Sequence, residues 1–167
     1  RKVSSLALAI IVVGVCLIHP TTGYSGAGAQ EVRGFWYGWT TPVNVSQSPT
    51  NEATWPTLAQ SGQLVYLAWS DRRETWQDVY YTLSIDGGDS WAAPQATVET
   101  EADSLRPSLV MSGTTPVVVW AEAETGLSHT TWQWALGKDA VQVPNTHDVL
   151  SSAPCMARGE DGDLHLA

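Results

Sequence analysis

The sequence has little cysteine. Its two cysteines are Cys16 and Cys155, and Cys16 lies in a leader that is expected to be removed. A single remaining cysteine forms no internal disulfide, so packing has to stabilise the fold. Cys155 stands between Pro154 and Met156 in an apolar stretch, where we expect it to be a buried small apolar residue rather than a nucleophile.

Basic residues are also scarce, with 8 Lys and Arg against 17 Asp and Glu and a formal net charge of −9. Proteins that bind nucleic acids or anionic membranes present basic patches. We therefore expect neither partner for the mature chain. The acidic residues do not form long uninterrupted runs, which indicates a solvated acidic surface rather than an acidic tail.

Several catalytic patterns are missing. The chain has no Gly-x-Ser-x-Gly motif and no glycine-rich phosphate loop. His129, His147 and His165 lie far apart and lack the spacing of metal ligands, so we expect no metal and no cofactor. The stretch Asp161–Asp163 is too short for a calcium loop and predicts a hairpin turn. No sustained apolar spacing of three, four and seven residues occurs, so helices should be scarce.

One long apolar run is present, from Leu6 to Ile18, and it follows the basic residues Arg1 and Lys2. Ala27-Gly28-Ala29 then matches the pattern that precedes a cleavage site. These features predict a secretory signal peptide over residues 1–29 and a secreted, extracellular or cell-surface protein. An uncleaved anchor is the alternative, although spanning a bilayer takes roughly 20 apolar residues.

Tryptophan is abundant, with nine residues against one phenylalanine. A tryptophan buries a large apolar area and carries one N–H that needs a partner. Tryptophans that recur at similar places in short strands favour a repeated packing unit. A glycan-binding platform is the functional alternative.

Three segments of the chain align, and their prolines, Pro56, Pro107 and Pro154, follow at intervals of 51 and 47 residues. Each segment has a proline, a short strand, a glycine turn and an apolar strand, which ends at Trp69 and at Trp120 in the first two. A period of about 40–50 residues with several short strands in each unit is typical of a β-propeller blade.

Each complete unit is expected to form a four-stranded antiparallel sheet. The strands of the first unit are predicted at 54–60, 63–69, 78–85 and 91–98, and those of the second at 106–111, 116–121, 127–136 and 140–143. Residues 39–45 mirror the stretch that begins at Trp91, which predicts a lone outermost strand from Trp39 to Val45. Such a strand can complete a blade and close a ring, which removes exposed sheet edges.

The most specific motif is Ser84-Ile85-Asp86-Gly87-Gly88-Asp89-Ser90-Trp91. An Asp at the start of a turn accepts hydrogen bonds from N–H groups two residues on, and Gly87 and Gly88 can adopt positive φ. Trp91 can fold back over the turn. A chance hairpin with Ser and Trp at its ends is the alternative. The whole pattern resembles the Asp-box of sialidase-type β-propellers, a structural element that here comprises Ser84, Asp86, Gly88, Ser90 and Trp91.

The resemblance to the sialidase superfamily covers most of residues 30–167. It implies an all-β fold, namely the N-terminal part of a β-propeller of six four-stranded blades. About two and a half blades are expected in this chain, with the C-terminal remainder of the ring missing.

The resemblance also implies site residues. Asp71, Arg72 and Arg73 match an arginine loop at the mouth of the central cavity, where an arginine fork suits a substrate carboxylate. A surface ion-pair cluster is the alternative for these three residues. Asp78 matches the catalytic acid/base, and a strand-entry Asp bonded to local backbone is its alternative. Thr54 stands where the family's F-R-I-P motif has an arginine that holds the substrate, and threonine has no guanidinium.

From these residues we expect a secreted propeller that binds a glycan or an extracellular protein and lacks standard sialidase catalysis. The alternative is an exo-acting glycoside hydrolase of the sialidase type, an exo-alpha-sialidase, in which Asp78 is catalytic. A purely structural surface module is a third possibility.

Overall fold

The computed structural model describes residues 42–50, 52–123, 129–146 and 153–167. The predicted signal peptide, residues 1–29, lies outside these ranges. The described residues form strands, turns and connecting segments, as the all-β expectation requires. No helix in these ranges is long and apolar enough to cross a membrane.

The first repeat forms a four-stranded antiparallel sheet, sheet A, in which neighbouring strands follow chain order. Its strands are β1 (Thr54–Ser61), β2 (Leu64–Arg72), β3 (Gln77–Ser84) and β4 (Gln95–Ala96). The turn between β1 and β2 contains Gly62 at φ 61°, a conformation that glycine adopts without a Cβ clash.

The second repeat forms sheet B with the same strand order. Its strands are β5 (Ser104–Ser112), β6 (Thr115–Ala123), β7 (His129–Ala135) and β8 (Val141–Gln142). The two expected four-stranded antiparallel sheets are therefore confirmed.

The outermost strands are shorter than predicted, and β4 has two residues in place of the expected stretch 91–98. Pro94 immediately precedes β4 and has no N–H to donate, so ladder pairing with β3 cannot extend through it. Ala92 still donates its N–H to the Leu83 carbonyl at 2.9 Å, which keeps the chain beside β3.

The third repeat contributes a hairpin of β9 (Met156–Arg158) and β10 (Leu164–Leu166). Cys155 just before it is exposed, so the expectation of a buried cysteine is wrong. Side chains alternate across an extended chain. Here Pro154 and Met156 take the buried positions and leave Cys155 on the outer side.

The strand predicted from Trp39 to Val45 is not formed by its described part, since residues 42–45 are extended chain without strand pairing. Trp39 lies outside the described residues. Val45 is nevertheless 3 % exposed, and it packs against Trp69 and Tyr80 on the outer face of sheet A. Apolar contact rather than a backbone ladder fixes this segment.

The main core lies between the two sheets, where Tyr81 of sheet A and Trp134 of sheet B have ring centroids 4.7 Å apart. Trp69 and Trp120 are both fully buried, as the packing interpretation of the tryptophans expects. The first strands of successive repeats also lie side by side, because β1 contacts β5 and β5 contacts β9.

Candidate functional site

Three connecting segments meet at one end of the sheets, which we call the loop end. They are the stretch before β1 (46–53), the β2–β3 loop (73–76) and the connection from sheet A to sheet B (97–103). In an antiparallel meander these segments share one end, whereas the β1–β2 and β3–β4 turns lie at the other. The candidate residues Asp71, Arg72, Arg73 and Asp78 lie at the loop end, and the Asp-box lies at the opposite end.

Asp71 is the best-bonded carboxylate of the loop end, and its side chain is fully buried. Its Oδ1 accepts a hydrogen bond from Ser48 Oγ at 2.6 Å. Its Oδ2 accepts from Arg73 Nε at 3.0 Å and from Trp69 Nε1 at 3.4 Å. A buried carboxylate needs such partners. Asp71 therefore organises the chain around it and is closed off from a ligand.

Arg73 is held in place on three sides. Its Nε contacts Asp71, and its Nη2 donates to the Ser46 carbonyl at 2.7 Å. Its guanidinium carbon lies 4.2 Å from the centre of the Tyr80 ring, a cation–π contact. These bonds attach the segment before β1 to sheet A, so Arg73 has a structural role in this arrangement.

Arg72 is the more exposed of the two arginines. Its Nε lies 3.1 Å from Glu52 Oε2, and its Nη2 lies 3.5 Å from Asp103 Oδ1. Its Nη1 donates to the Thr75 carbonyl at 2.8 Å. A ligand carboxylate at Arg72 would have to compete with two carboxylates of the chain. The contacts of Arg72 and Arg73 match the ion-pair alternative.

Asp78, the candidate acid/base, is 9 % exposed and is the second residue of β3. Burial raises the pKa of its carboxyl to about 6; nearby acidic groups, of which Glu122 contributes most, add to the rise. Its Oδ1 accepts the N–H of Thr100 at 3.0 Å, which opposes the rise. Thr100 belongs to the connection between the sheets. Asp78 therefore binds backbone, as its alternative interpretation expects, but that backbone is distant in sequence.

The second repeat carries a carboxylate arrangement that the sequence reasoning missed. Glu122 is buried, and its Oε2 accepts from Ser104 Oγ at 2.6 Å and from Trp120 Nε1 at 2.9 Å. In sheet A, Trp69 contacts Asp71 in the same way. The signal was present in the aligned repeats, since each apolar second strand ends in tryptophan followed two residues later by an acid.

The Asp-box is a compact hydrogen-bonded turn. Ser84 Oγ donates to Asp86 Oδ1 at 2.6 Å and accepts the Gly88 N–H at 2.8 Å. Asp86 accepts the Ser90 N–H at 2.9 Å and also the Ser90 hydroxyl. The bonds from Ser84 and Ser90 hold the pKa of Asp86 well below its usual range. The carboxylate thus bonds N–H four residues on, not two as expected, and the Ser84 hydroxyl accepts the nearer ones.

The Asp-box is also attached to the neighbouring turn. Gly87 and Gly88 have φ of 77° and 105°, as expected for glycine positions. The Gly87 N–H donates to the Gln63 carbonyl of the β1–β2 turn at 3.0 Å. Trp91 packs beside the apolar cluster of Trp69 on the face of sheet A. The motif therefore braces the end of sheet A opposite the candidate site.

Within the described ranges, no three His, Cys, Asp or Glu side chains are placed to hold a metal ion. No protein-family model matches the chain, and no curated protein matches it significantly. The family resemblance therefore depends on the motifs of the chain itself.

Proposed function

We propose that residues 30–167 belong to a secreted Asp-box β-propeller that binds a glycan or an extracellular protein and lacks standard sialidase catalysis. Two observations support the propeller. Sheets A and B repeat the same strand order, with Trp69 and Trp120 at matching buried positions. The first strands of the three repeats also lie in succession, as around a propeller axis.

The contacts of the two arginines carry the non-catalytic part of the proposal. Arg72 binds Glu52 and Asp103, and Arg73 binds Asp71 and the Ser46 carbonyl. An arginine that binds a substrate carboxylate bidentately needs two parallel N–H donors directed at the ligand. The family's further arginine is replaced by Thr54, which removes another donor group.

Two assays on the full chain test this proposal. A fluorogenic sialoside should show no turnover above the rate without protein. A glycan array, together with cross-linking to extracellular proteins, should detect a bound partner. Turnover at rates typical of enzymes, about 1 per second or faster, would contradict the proposal, as would the absence of any partner in both binding assays.

An exo-acting glycoside hydrolase of the sialidase type is the second candidate function. It is favoured by Asp78, since the pKa of about 6 leaves part of its carboxyl protonated near neutral pH. A general acid needs that property. Turnover of the sialoside that is abolished by Asp78→Asn would establish this alternative. The same variant should leave turnover at zero if the binding function is correct.

A further inference from the structure

Two residues of the first strands share an unusual backbone conformation. Trp55 in β1 has φ of 50°, and Arg106 in β5 has φ of 54°. Each precedes a proline and lies at a shift in strand register, between Thr54 and Thr57 in β1 and at the matching place in β5. Bulky residues rarely adopt positive φ, and a following proline restricts them further. The bulge is therefore a built feature of both repeats.

Bulges redirect side chains, and they are over-represented beside functional sites. Here the two bulges bring together side chains from successive repeats. The guanidinium carbon of Arg106 lies 5.6 Å from the centre of the Trp55 ring. This contact is possible because β1 and β5 are neighbours.

Trp55 differs from the core tryptophans in its exposure. It is 42 % exposed, whereas Trp69 and Trp120 are fully buried. An exposed indole in a strained backbone conformation contributes little to packing, so its placement is not explained by the core. Exposed tryptophan that is rigidly held by its backbone offers a flat apolar face to a ligand.

The Trp55–Arg106 pair also lies at the loop end. Trp55 is near the start of β1, three residues after Glu52, and Glu52 binds Arg72. The hydroxyl of Thr54, beside Trp55, is buried without a hydrogen-bond partner among the described residues. The pair is thus next to the site residues expected from the sequence, but it consists of residues that were not among them.

Building on the proposed function, we infer that Trp55 and Arg106 form a binding site for a sugar ring that carries a carboxylate. The apolar C–H face of a pyranose can stack on the indole, while a guanidinium bonds a carboxylate through two parallel N–H groups. A guanidinium has five N–H donors, so Arg106 can keep its contacts within the chain and still bind a ligand. This ligand class narrows the glycan partner to an acidic sugar.

Isothermal titration of the full chain tests this site with three probes. Two are acidic, the methyl glycosides of glucuronic acid and of N-acetylneuraminic acid, and the third is neutral, methyl glucoside. At least one acidic probe should bind more tightly than the neutral probe. Trp55→Leu should weaken binding of that probe about tenfold or more, through loss of the stacking face.

Arg106→Gln should remove the preference for the acidic probe, because the amide has no charge, while any binding of the neutral sugar stays within about twofold. Trp76→Leu is the matched control, since Trp76 is 43 % exposed and lies in the β2–β3 loop. This control should bind like the unmodified protein. A thermal melt of each variant establishes that it is folded.

Two outcomes would overturn the inference. If a glycan binds but Trp55→Leu and Arg106→Gln leave its affinity unchanged, the site is wrong while the proposed binding function stands. If none of the three sugars binds, the site is also wrong, and the glycan array and cross-linking decide separately whether the protein is a binding module. Should Trp55→Leu fail to fold, Arg106→Gln decides by the same comparison of acidic and neutral probes.

Discussion

Replacing Trp120 by phenylalanine should destabilise the protein strongly, because it removes the indole N–H that Glu122 binds at 2.9 Å. Trp120 is fully buried, and Glu122 is 6 % exposed, so water cannot replace the donor. Ser104 Oγ would then be the one printed side-chain donor left to this carboxylate among the described residues. A hydrogen bond to a charged group contributes about 1.5–3 kcal/mol.

The emptied space behind the smaller ring adds about 1 kcal/mol, after partial relaxation of its surroundings. We therefore expect Trp120→Phe to lower the free energy of unfolding by about 3 kcal/mol. This is a large fraction of the roughly 5–15 kcal/mol that holds a typical protein folded.

Urea unfolding followed by circular dichroism measures the change, with the slope used to check that the unfolding reaction is the same. Two controls separate the causes. Trp69→Phe should cost about 1–2 kcal/mol, because its indole is 3.4 Å from Asp71, and Asp71 keeps Ser48 and Arg73 as donors. The exposed Trp76→Phe should change stability by less than about 0.5 kcal/mol.

The reasoning fails if Trp120→Phe costs no more than Trp76→Phe. It also fails if the cost is unchanged when Glu122 has first been replaced by Leu. In that background the indole has no carboxylate to bond, so the remaining effect of Trp120→Phe should be that of lost packing, about 1 kcal/mol.

Three further predictions concern titration and turns. Asp78 has a folded pKa of about 6 against 3.8 for the unfolded chain, so the folded state holds its proton more tightly and stability falls as pH rises from about 4 to 6; Asp78→Asn should remove this fall in urea melts at pH 4 and pH 7, and an unchanged fall would refute it. The pKa of Asp86 is lowered instead, so its contribution is present above its ordinary pKa and is lost in acid; Asp86→Ala should reduce the melting temperature at pH 7 and have a smaller effect near pH 2, and equal effects would contradict the assignment. Gly87→Ala should cost about 1 kcal/mol or more, because φ is positive there and the new Cβ would lie 3.0 Å from Gln63 Oε1; Gly113→Ala, also at positive φ but with open space around it, should cost less in the same urea melt, and the reverse order would show that the contact does not matter.

The strands near the axis could be read from the sequence because several local signals agree there. In β2 a long apolar run follows the glycine turn at Gly62, and its predicted and observed bounds differ by only a few residues. The outer strand β4 could not be read as well, because Trp91 and its neighbours have strand-like composition while Pro94 prevents pairing. Local composition does not report whether a ladder can form.

The candidate site was predictable only in part. Asp71 and Arg72 were found because they are adjacent in a motif. Their partners Ser48, Glu52 and Asp103 come from two other segments, and no local pattern indicates that those segments meet. The exposure of Cys155 was missed for a related reason, since the apolar character of a stretch does not tell which side of an extended chain faces the core.

The pairing of a buried tryptophan with an acid two residues later has a consequence for how such proteins change in evolution. In each repeat the acid is bonded by a serine from the chain that leads into the same sheet, Ser48 for Asp71 and Ser104 for Glu122. A gene segment that duplicates one repeat would therefore carry both halves of the contact with it. The new copy would be satisfied on arrival, so repeat number can change by whole units more easily than any one of these polar side chains can be replaced.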